Sequence, residues 1–271
     1  MAQAQDSRRL LAGKADALRQ LHHRPQMLVL PNAWDAASAR TFEAAGFPAI
    51  ATSSNAIAAT LGYEDHEGAP PDEMFAAAAR VIAAVNIPVS VDLEAGYQLA
   101  PEAVVERAIA IGAAGFNYED TDHHGPDVLV PAHLQAERIA ALKEASHRAG
   151  VALVINARVD SLFHRVGTPE EQIAEVALRA KVYSEAGADC IYPFGFYDEQ
   201  VTRAVMRAVD APVNILAWRH PLSLAQLAGI GVRRVTFASG LYRDLVAPLK
   251  DTAAALRASY APPHDPGTEE T

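Results

Sequence analysis

The amino-acid sequence predicts a single-domain α/β fold, a (β/α)₈ barrel of the TIM type. Eight short apolar segments alternate strictly with eight helical segments along 271 residues, the pattern of a parallel sheet covered by helices. Several helices also close on a glycine that leads directly into the next strand, as in residues 43–47, 111–116 and 184–189. A doubly wound open sheet is the alternative. It is disfavoured because no glycine-rich phosphate loop follows the first strand.

The strands are short apolar runs, several of them introduced by glycine or proline. They are predicted over 27–30, 48–53, 87–92, 115–119, 151–157, 189–193, 212–216 and 233–238. The fifth of these is the most apolar stretch of the chain.

The helices are identified by their capping residues and by apolar stripes. Thr168-Pro169-Glu170-Glu171 combines an N-cap, a proline at the first helical position and acids in the first turn. An amphipathic helix, 7–21, lies in an N-terminal segment, 1–25, ahead of the barrel at 26–260. The barrel helices are predicted over 33–45 (capped by Asn32), 72–85, 101–111, 131–149, 169–186, 198–209, 221–228 and 240–259. A loop is expected over 54–72, and the polar tail, 261–271, is expected to be mobile.

Composition excludes several classes of protein. The net charge is −10 without a basic run, so nucleic acid is not an expected partner. The single cysteine, Cys190, cannot form an intrachain disulfide, which fits a cytoplasmic location. No apolar run has the length of a membrane span, and no signal peptide is recognisable.

The segment Val89–Tyr97 carries the first chemical signal. Asp92 and Glu94 are two residues apart at the end of a predicted strand, so they are expected to share a face. Two carboxylates side by side repel unless a cation lies between them, and Mg²⁺ prefers such oxygen ligands. The alternative is a solvated strand end whose acids cap the next helix.

Polar residues collect at the carboxyl ends of the other strands, where barrels place their active sites. Asp65, Asp92, Glu94 and Glu119 are expected to converge around a Mg²⁺, with Arg158 opposite to bind a ligand carboxylate. An internal salt bridge to Glu119 or Asp160 is the alternative for Arg158. The other polar residues at these ends include Asn32, Trp34, Ser53, Ser54, Asn55, Asn117, Asn156, Tyr192 and Asn214.

Two smaller features remain open. Ser53-Ser54-Asn55 has the donors for an oxyanion, although such turns are common. The loop 120–130 has the length of a lid, and its His123-His124 pair is either an acid/base or, as the residues alone favour, solvated. His22, at a helix end, is expected on the surface.

Taken together, these segments resemble the phosphoenolpyruvate mutase/isocitrate lyase superfamily over residues 28–256. The resemblance is carried by 30–39, 52–55, 61–65, 91–97, 117–120, 155–160, 212–216 and 231–235, in this order and spacing. It implies a Mg²⁺ or Mn²⁺ enzyme for small 2-oxo or 2-hydroxy carboxylates. It also implies a homotetramer, or a homodimer, in which the last helix, 240–259, packs on a neighbouring subunit.

The resemblance also implies roles for individual residues. Asp92 would ligate the metal directly, and the remaining acids, Asp65, Glu94 and Glu119, would hold metal-bound waters. The ligand carboxylate or oxyanion would be bound by the pocket residues, which are Ser53, Ser54, Asn55, Trp34, Arg158 and Asn214.

The departures from the family concern the reaction. The lyases carry a Lys-Lys/Arg-Cys-Gly-His segment after strand four, whereas residues 119–127 here contain neither cysteine nor lysine. The loop Lys and Asn of the mutases are absent too, and Asp-Leu-Glu replaces the usual Asp-x-Asp.

The leading hypothesis is C–C cleavage through a metal-bound enolate, with Arg158, His123 and His124 as catalytic residues. Oxaloacetate decarboxylation or hydrolysis and a methylisocitrate-lyase-like reaction are examples. The alternatives are phosphonopyruvate or phosphoenolpyruvate P–C chemistry, and a 2-oxo-acid-binding protein without turnover.

Overall fold

Parallel strands form the wall of the barrel in the computed structural model, which describes residues 2–125 and 128–260. The strands are β1 (Leu28–Val29), β2 (Asn32–Ala33), β3 (Ile50–Thr52), β4 (Val89–Asp92), β5 (Gly115–Glu119), β6 (Val154–Val159), β7 (Cys190–Pro193), β8 (Asn214–Leu216) and β9 (Arg234–Thr236). The helices are α1 (Ala2–His22), α2 (Ala36–Ala44), α3 (Ser54–Leu61), α4 (Pro71–Ala83), α5 (Pro101–Ile111), α6 (Ala132–Arg148), α7 (Pro169–Glu185), α8 (Glu199–Ala208), α9 (Leu224–Gly229) and α10 (Gly240–Ser259). The predicted mobile tail, 261–271, lies outside the described residues.

The strands pair in two runs, β1-β9-β8 and β2 through β7 in chain order. β1 and β2 are consecutive pieces of one strand that changes partner at Pro31, which has no N–H to donate. Between β7 and β8, Ile191 pairs in parallel with Val213. The eight strand positions thus follow one another around the wall, and the predicted (β/α)₈ barrel is confirmed.

The helix α1 covers the amino-terminal ends of the strands. Leu18 and Leu21 of α1 pack with Leu28 and Leu30 of the first strand segment in one buried cluster. His22 is buried as well, so its predicted surface position is wrong. Burial and the nearby charge of Arg234 lower the pKa of His22 to about 4. A helix end is exposed only where no other element packs on it. The end of α1 instead packs against the amino-terminal end of the barrel.

One helix was not predicted. Residues expected to form a loop contain α3, whose first turn is capped by the Ser53 hydroxyl, which accepts from the Ala56 N–H at 3.3 Å. Gly62 ends it in a left-handed conformation (φ 87°). The predicted cap of the preceding helix also shifts, because Asp35 caps α2 while Asn32 lies in β2. No helix among residues 2–125 and 128–260 is long and apolar enough to span a membrane.

Candidate active site

A cavity of about 170 Å³ opens at the carboxyl ends of the strands. Residues from most of the strand ends line it, and they include both polar groups and aromatic rings. The lining includes Asn32, Ser53, Ser54, Asn55, Asp65, His66, Asp92, Asn117, Arg158, Phe163, Tyr192, Phe194, Phe196, Trp218, Thr236, Ser239, Gly240 and Arg243.

Ser54, the first residue of α3, connects two carboxylates. Its backbone N–H and its hydroxyl donate to Asp92 Oδ2, at 3.1 and 2.9 Å. The same hydroxyl is 3.4 Å from Asp65 Oδ1, and the Asn55 amide donates to Asp65 Oδ2 at 3.0 Å. Asp65 and Asp92 therefore meet at one hydroxyl, and Ser54 and Asn55 orient them in addition to lining the cavity.

A chain of amides holds the other oxygen of Asp92. Asn117 donates from Nδ2 to Asp92 Oδ1 at 3.3 Å, and Asn156 donates to Asn117 Oδ1 at 2.7 Å. The guanidinium of the fully buried Arg234 is 3.4 Å from Asn117 Oδ1 and 3.3 Å from the Ser90 hydroxyl. Arg234 was not predicted as a site residue, because nothing in the sequence shows that an arginine in this strand points into the barrel.

Glu94 lies beyond the end of β4, and its carboxylate is close enough to Asp65 and Asp92 for their charges to act on it. The two-residue repeat holds only inside a strand, and β4 ends at Asp92. Glu94 lies in a left-handed turn (φ 50°) and accepts from the Glu67 N–H at 2.6 Å. Burial, together with the charges of Glu119, Asp65 and Asp92, raises the pKa of Glu94 to about 8. Glu94 is absent from the lining of the cavity.

Arg158 forms both of the internal ion pairs that were predicted as the alternative to ligand binding. Nη1 lies 2.6 Å from Glu119 Oε2 and Nε lies 2.6 Å from Asp160 Oδ1. Its guanidinium also stacks over the Phe194 ring at 3.8 Å. Since a guanidinium has five N–H donors, Arg158 retains donors for a ligand on the cavity side that it lines.

Glu119 forms an ion pair with Arg158 and a hydrogen bond with a loop histidine. His123 Nε2 is 2.7 Å from Glu119 Oε1, and the side chain of His123 is only 5% exposed. Burial raises the pKa of Glu119 to about 7, although Arg158 and His123 act against it. Burial alone would lower the pKa of His123, but the hydrogen bond and charge of Glu119 raise it.

The two loop histidines lie beside the first cavity, and the ring centroid of His123 is 5.5 Å from that of His66, which lines it. His124 Nε2 is 2.7 Å from Glu67 Oε2 and the side chain is 44% exposed. Both histidines line a second cavity with Glu67 and Tyr118. The favoured solvated assignment is therefore wrong for His123, which is buried against Glu119. Residues 126–127 of the predicted lid lie outside the described residues.

Two predicted pocket residues lie elsewhere. Asn214 is fully buried and hydrogen-bonds to Thr236, which itself lines the cavity. Trp34 packs edge-on against Tyr242 of α10, with ring centroids 5.5 Å apart. Neither is part of the cavity lining.

The acidic residues fit a small hard cation. Among residues 2–125 and 128–260, no three metal-ligating side chains are gathered in one place. Mg²⁺ keeps several waters and is commonly held by one or two carboxylates plus the substrate. Asp65 and Asp92, which both line the cavity and are bound by neutral donors, are such a pair.

Comparison with known proteins identifies the family of this chain. The family described as Phosphoenolpyruvate phosphomutase matches residues 18–257. An uncharacterised protein of Mycobacterium tuberculosis is 34% identical over 227 residues, which cover 82% of this chain and 83% of that protein. The 2-methylisocitrate lyase of Halalkalibacterium halodurans is 28% identical over 264 residues, covering 94% and 84%. The structure of 2,3-dimethylmalate lyase superposes with a TM-score of 0.80 at 26% identity, covering 94% and 90%.

The family match spans most of the chain, and the M. tuberculosis relative exceeds 30% identity over four fifths of it. The predicted membership is therefore confirmed: this chain belongs to the phosphoenolpyruvate mutase/isocitrate lyase superfamily and is an enzyme of that group of lyases and mutases.

Proposed function

We propose that this enzyme cleaves a C–C bond of a small 2-oxo or 2-hydroxy carboxylate with the help of Mg²⁺, or of Mn²⁺. The observation that carries the proposal is the meeting of Asp65 and Asp92 at the Ser54 hydroxyl, in a small cavity that Arg158 also lines. Two hard carboxylates and one guanidinium are the complement of a chelated cation with a carboxylate ligand.

Asp92 and Asp65 would hold the metal, which supplies electrostatic stabilisation of negative charge that develops next to the carboxylate. Arg158 orients the substrate carboxylate, because Glu119 and Asp160 fix its guanidinium from behind at 2.6 Å. Asn117, held by Asn156, keeps Asp92 in one orientation.

Proton transfer is assigned to the pair of Glu119 and His123. Their 2.7 Å contact holds a proton close to neutral pH, because burial brings the pKa of Glu119 to about 7. Cys190 is unsuited to replace the cysteine of the lyase loop, since burial raises the pKa of its thiol to about 12. His124, bound to Glu67, has a supporting role at the edge of the loop.

The reaction class is tested with purified protein, Mg²⁺ and a panel of oxaloacetate, 2-methylisocitrate, isocitrate, dimethylmalate and phosphonopyruvate. The proposal expects turnover of one C–C substrate and its loss in Asp92→Asn. Turnover of phosphonopyruvate alone would establish P–C chemistry instead. Mg²⁺-dependent binding of a 2-oxo acid without any turnover would establish a binding protein.

The exposed face of α10 supports association with a second copy. Leu245, Leu249 and Leu256 of this helix are 61%, 59% and 65% exposed. Because exposed leucines along one helix are covered in stable proteins more often than not, we infer a dimer or tetramer in which α10 packs on a neighbour. Light scattering of the wild type and of Leu245→Glu/Leu249→Glu tests this, with a monomeric wild type contradicting it.

A further inference from the structure

Tyr192 of β7 lines the cavity that Asp65 and Asp92 also line, and it has no role in the proposal above. Its side chain is only 3% exposed. In the sheet it pairs in register with Arg158 of the neighbouring strand β6. Paired residues of neighbouring strands project from the same face of a sheet, so the Tyr192 ring and the Arg158 guanidinium border the same part of the cavity.

The ring of Tyr192 is fixed by packing. It contacts Phe194 edge-on, with ring centroids 5.5 Å apart, and both rings belong to one buried cluster with Leu216. The hydroxyl is therefore held in one region of the cavity before any ligand binds. A donor that is positioned in advance costs no reorganisation when a ligand arrives.

The Tyr192 hydroxyl has no hydrogen-bond partner within residues 2–125 and 128–260. Thr236 is close enough to act on it, but the Thr236 hydroxyl is already engaged by Asn214. It accepts from Asn214 Nδ2 at 3.1 Å and donates to Asn214 Oδ1 at 3.2 Å. A buried hydroxyl without a partner costs free energy, so an acceptor that enters the cavity would relieve this cost.

The charges that act on Tyr192 place it among the groups of the proposed site. Arg158 and Asp92 are both close enough for their charges to act on its hydroxyl. Burial raises the pKa of Tyr192 well above its ordinary value. The hydroxyl therefore keeps its hydrogen and is a neutral donor beside the residues proposed to hold the metal and the substrate carboxylate.

The oxygen at C2 is the substrate atom that gains most from such a donor. When the bond between C3 and C4 of a 2-oxo acid breaks, its electron pair forms a C2–C3 double bond and the carbonyl pair moves onto the C2 oxygen. When a 2-hydroxy acid splits between C2 and C3, its C2 hydroxyl first gives up a proton, which the pair of Glu119 and His123 takes under the proposed function. In both cases the C2 oxygen becomes more negative, and a donor aimed at it lowers the barrier.

We infer that Tyr192 is a further catalytic residue, whose hydroxyl donates a hydrogen bond to the C2 oxygen of the substrate as that oxygen gains negative charge. This inference rests on the proposed function, which places the substrate carboxylate at Arg158 and the developing charge next to it. The proton stays on Tyr192 throughout, so no bond of the tyrosine is made or broken.

The experiment is isothermal titration of the full-length protein in Mg²⁺ with oxalate and with pyruvate, for the wild type and for Tyr192→Phe, which removes only the hydroxyl. Oxalate carries negative charge on the oxygens of both carbons, whereas the C2 oxygen of pyruvate is neutral. The variant should weaken oxalate binding by about 10–100-fold and pyruvate binding by only a few-fold. These factors correspond to losing a hydrogen bond to a charged and to a neutral acceptor. For the substrate that the panel identifies, kcat should fall by a factor similar to that for oxalate, with little change in KM.

Tyr197→Phe is the matched control. Tyr197 also packs against the core, its hydroxyl donates to the Pro193 carbonyl at 2.8 Å, and it is absent from the lining of this cavity. Tyr197→Phe should lower the midpoint of thermal unfolding and leave oxalate binding unchanged. Tyr192→Phe should do the reverse, because its hydroxyl has no hydrogen bond to lose within the described part of the chain.

Two results would overturn the inference while leaving the proposed function intact. One is Mg²⁺-dependent oxalate binding that is the same in the wild type and in Tyr192→Phe. The other is weakening of oxalate and pyruvate by the same factor, which would indicate a structural role or a contact with the shared carboxylate. Absence of Mg²⁺-dependent binding of both ligands to the wild type, together with no turnover in the panel, would instead contradict the proposed function and, with it, this inference.

Discussion

Two groups of carboxylates lie near the barrel mouth, and their partners differ in charge. Asp65 and Asp92 accept hydrogen bonds from Ser54, Asn55 and Asn117, which are neutral. Glu119 and Asp160 are instead paired with Arg158 at 2.6 Å. The first group retains negative charge for a cation, and the second is already compensated. The proposed assignment of the metal to Asp65 and Asp92 therefore rests on the charge of their partners more than on their position at strand ends.

The largest effect on stability is expected from removing the cation of the second group. Arg158→Met leaves Glu119 and Asp160 buried without their partner, which should cost about 3–5 kcal/mol of unfolding free energy. Urea unfolding measures this. Asp92→Asn is the matched comparison, because Asp92 forms no ion pair within residues 2–125 and 128–260 and accepts hydrogen bonds from Ser54 and Asn117 instead. A similar cost for both variants would contradict the distinction between the two groups.

The largest effect on activity is expected from the first group. Asp92→Asn keeps the shape of the side chain but removes the charge that would bind the metal. It should lower kcat/KM by about 10²–10³-fold, the range for losing one main electrostatic contribution in an active site. Asp198→Asn, at the N-cap of α8, is the control and should retain full turnover. Retained activity in Asp92→Asn would show that another group binds the metal.

A pH series separates the mouth of the barrel from its floor. The pKa of Glu94 is raised to about 8 by burial and neighbouring acids. The folded state therefore holds more protons than the unfolded state between about pH 4.5 and 8, and stability falls as pH rises through that window.

The pKa of His22 is lowered to about 4 by burial. Below about pH 6.5 the unfolded state binds the proton more readily, so stability falls as pH drops towards 4.

We expect each contribution to be on the order of 1–3 kcal/mol. Urea midpoints measured from pH 4 to pH 9 test both. Glu94→Gln should remove the loss on the alkaline side, and His22→Gln the loss on the acid side. If either variant keeps the slope of the wild type, that residue is not the source of it.

The smallest effect on activity is expected from breaking the contact between the half-exposed His124 and Glu67. His124→Ala breaks the contact with Glu67, but Glu67 still accepts from the Tyr97 N–H at 2.5 Å, and an ion pair with a half-exposed partner contributes only about 0–1 kcal/mol. Activity should fall by no more than a few-fold, while His123→Ala should lower kcat by about 10²-fold or more, as loss of an acid/base does. Equal kinetic effects for the two variants would mean that neither the burial of His123 nor its contact with Glu119 matters for proton transfer.

The sequence predicted the barrel because apolar runs and capping residues are local signals that repeat along the chain. Asp92 and Arg158 were identifiable since strand ends in a barrel face one site. The left-handed turn at Glu94 was not predicted, because the pattern does not show where a strand gives way to such a turn. The helix α3 was missed because Ser53-Ser54-Asn55 is equally typical of a turn.

Other features depend on contacts between distant segments. Arg234 reaches Asn117, and His22 reaches Arg234, only once the strands have closed around them. The aromatic part of the cavity lining could not be predicted from the sequence either, because Phe163, Phe194 and Trp218 come from three different loops. No local pattern marks such residues as neighbours.

The central claim is that Asp65 and Asp92 bind a divalent cation. The most direct measurement is a titration of the substrate-free protein with Mn²⁺, followed by electron paramagnetic resonance, for the wild type and for Asp92→Asn. We predict one bound Mn²⁺ per chain in the wild type, displaced by excess Mg²⁺ and lost in the variant. Equal binding to both proteins, or no binding to the wild type, would contradict the claim.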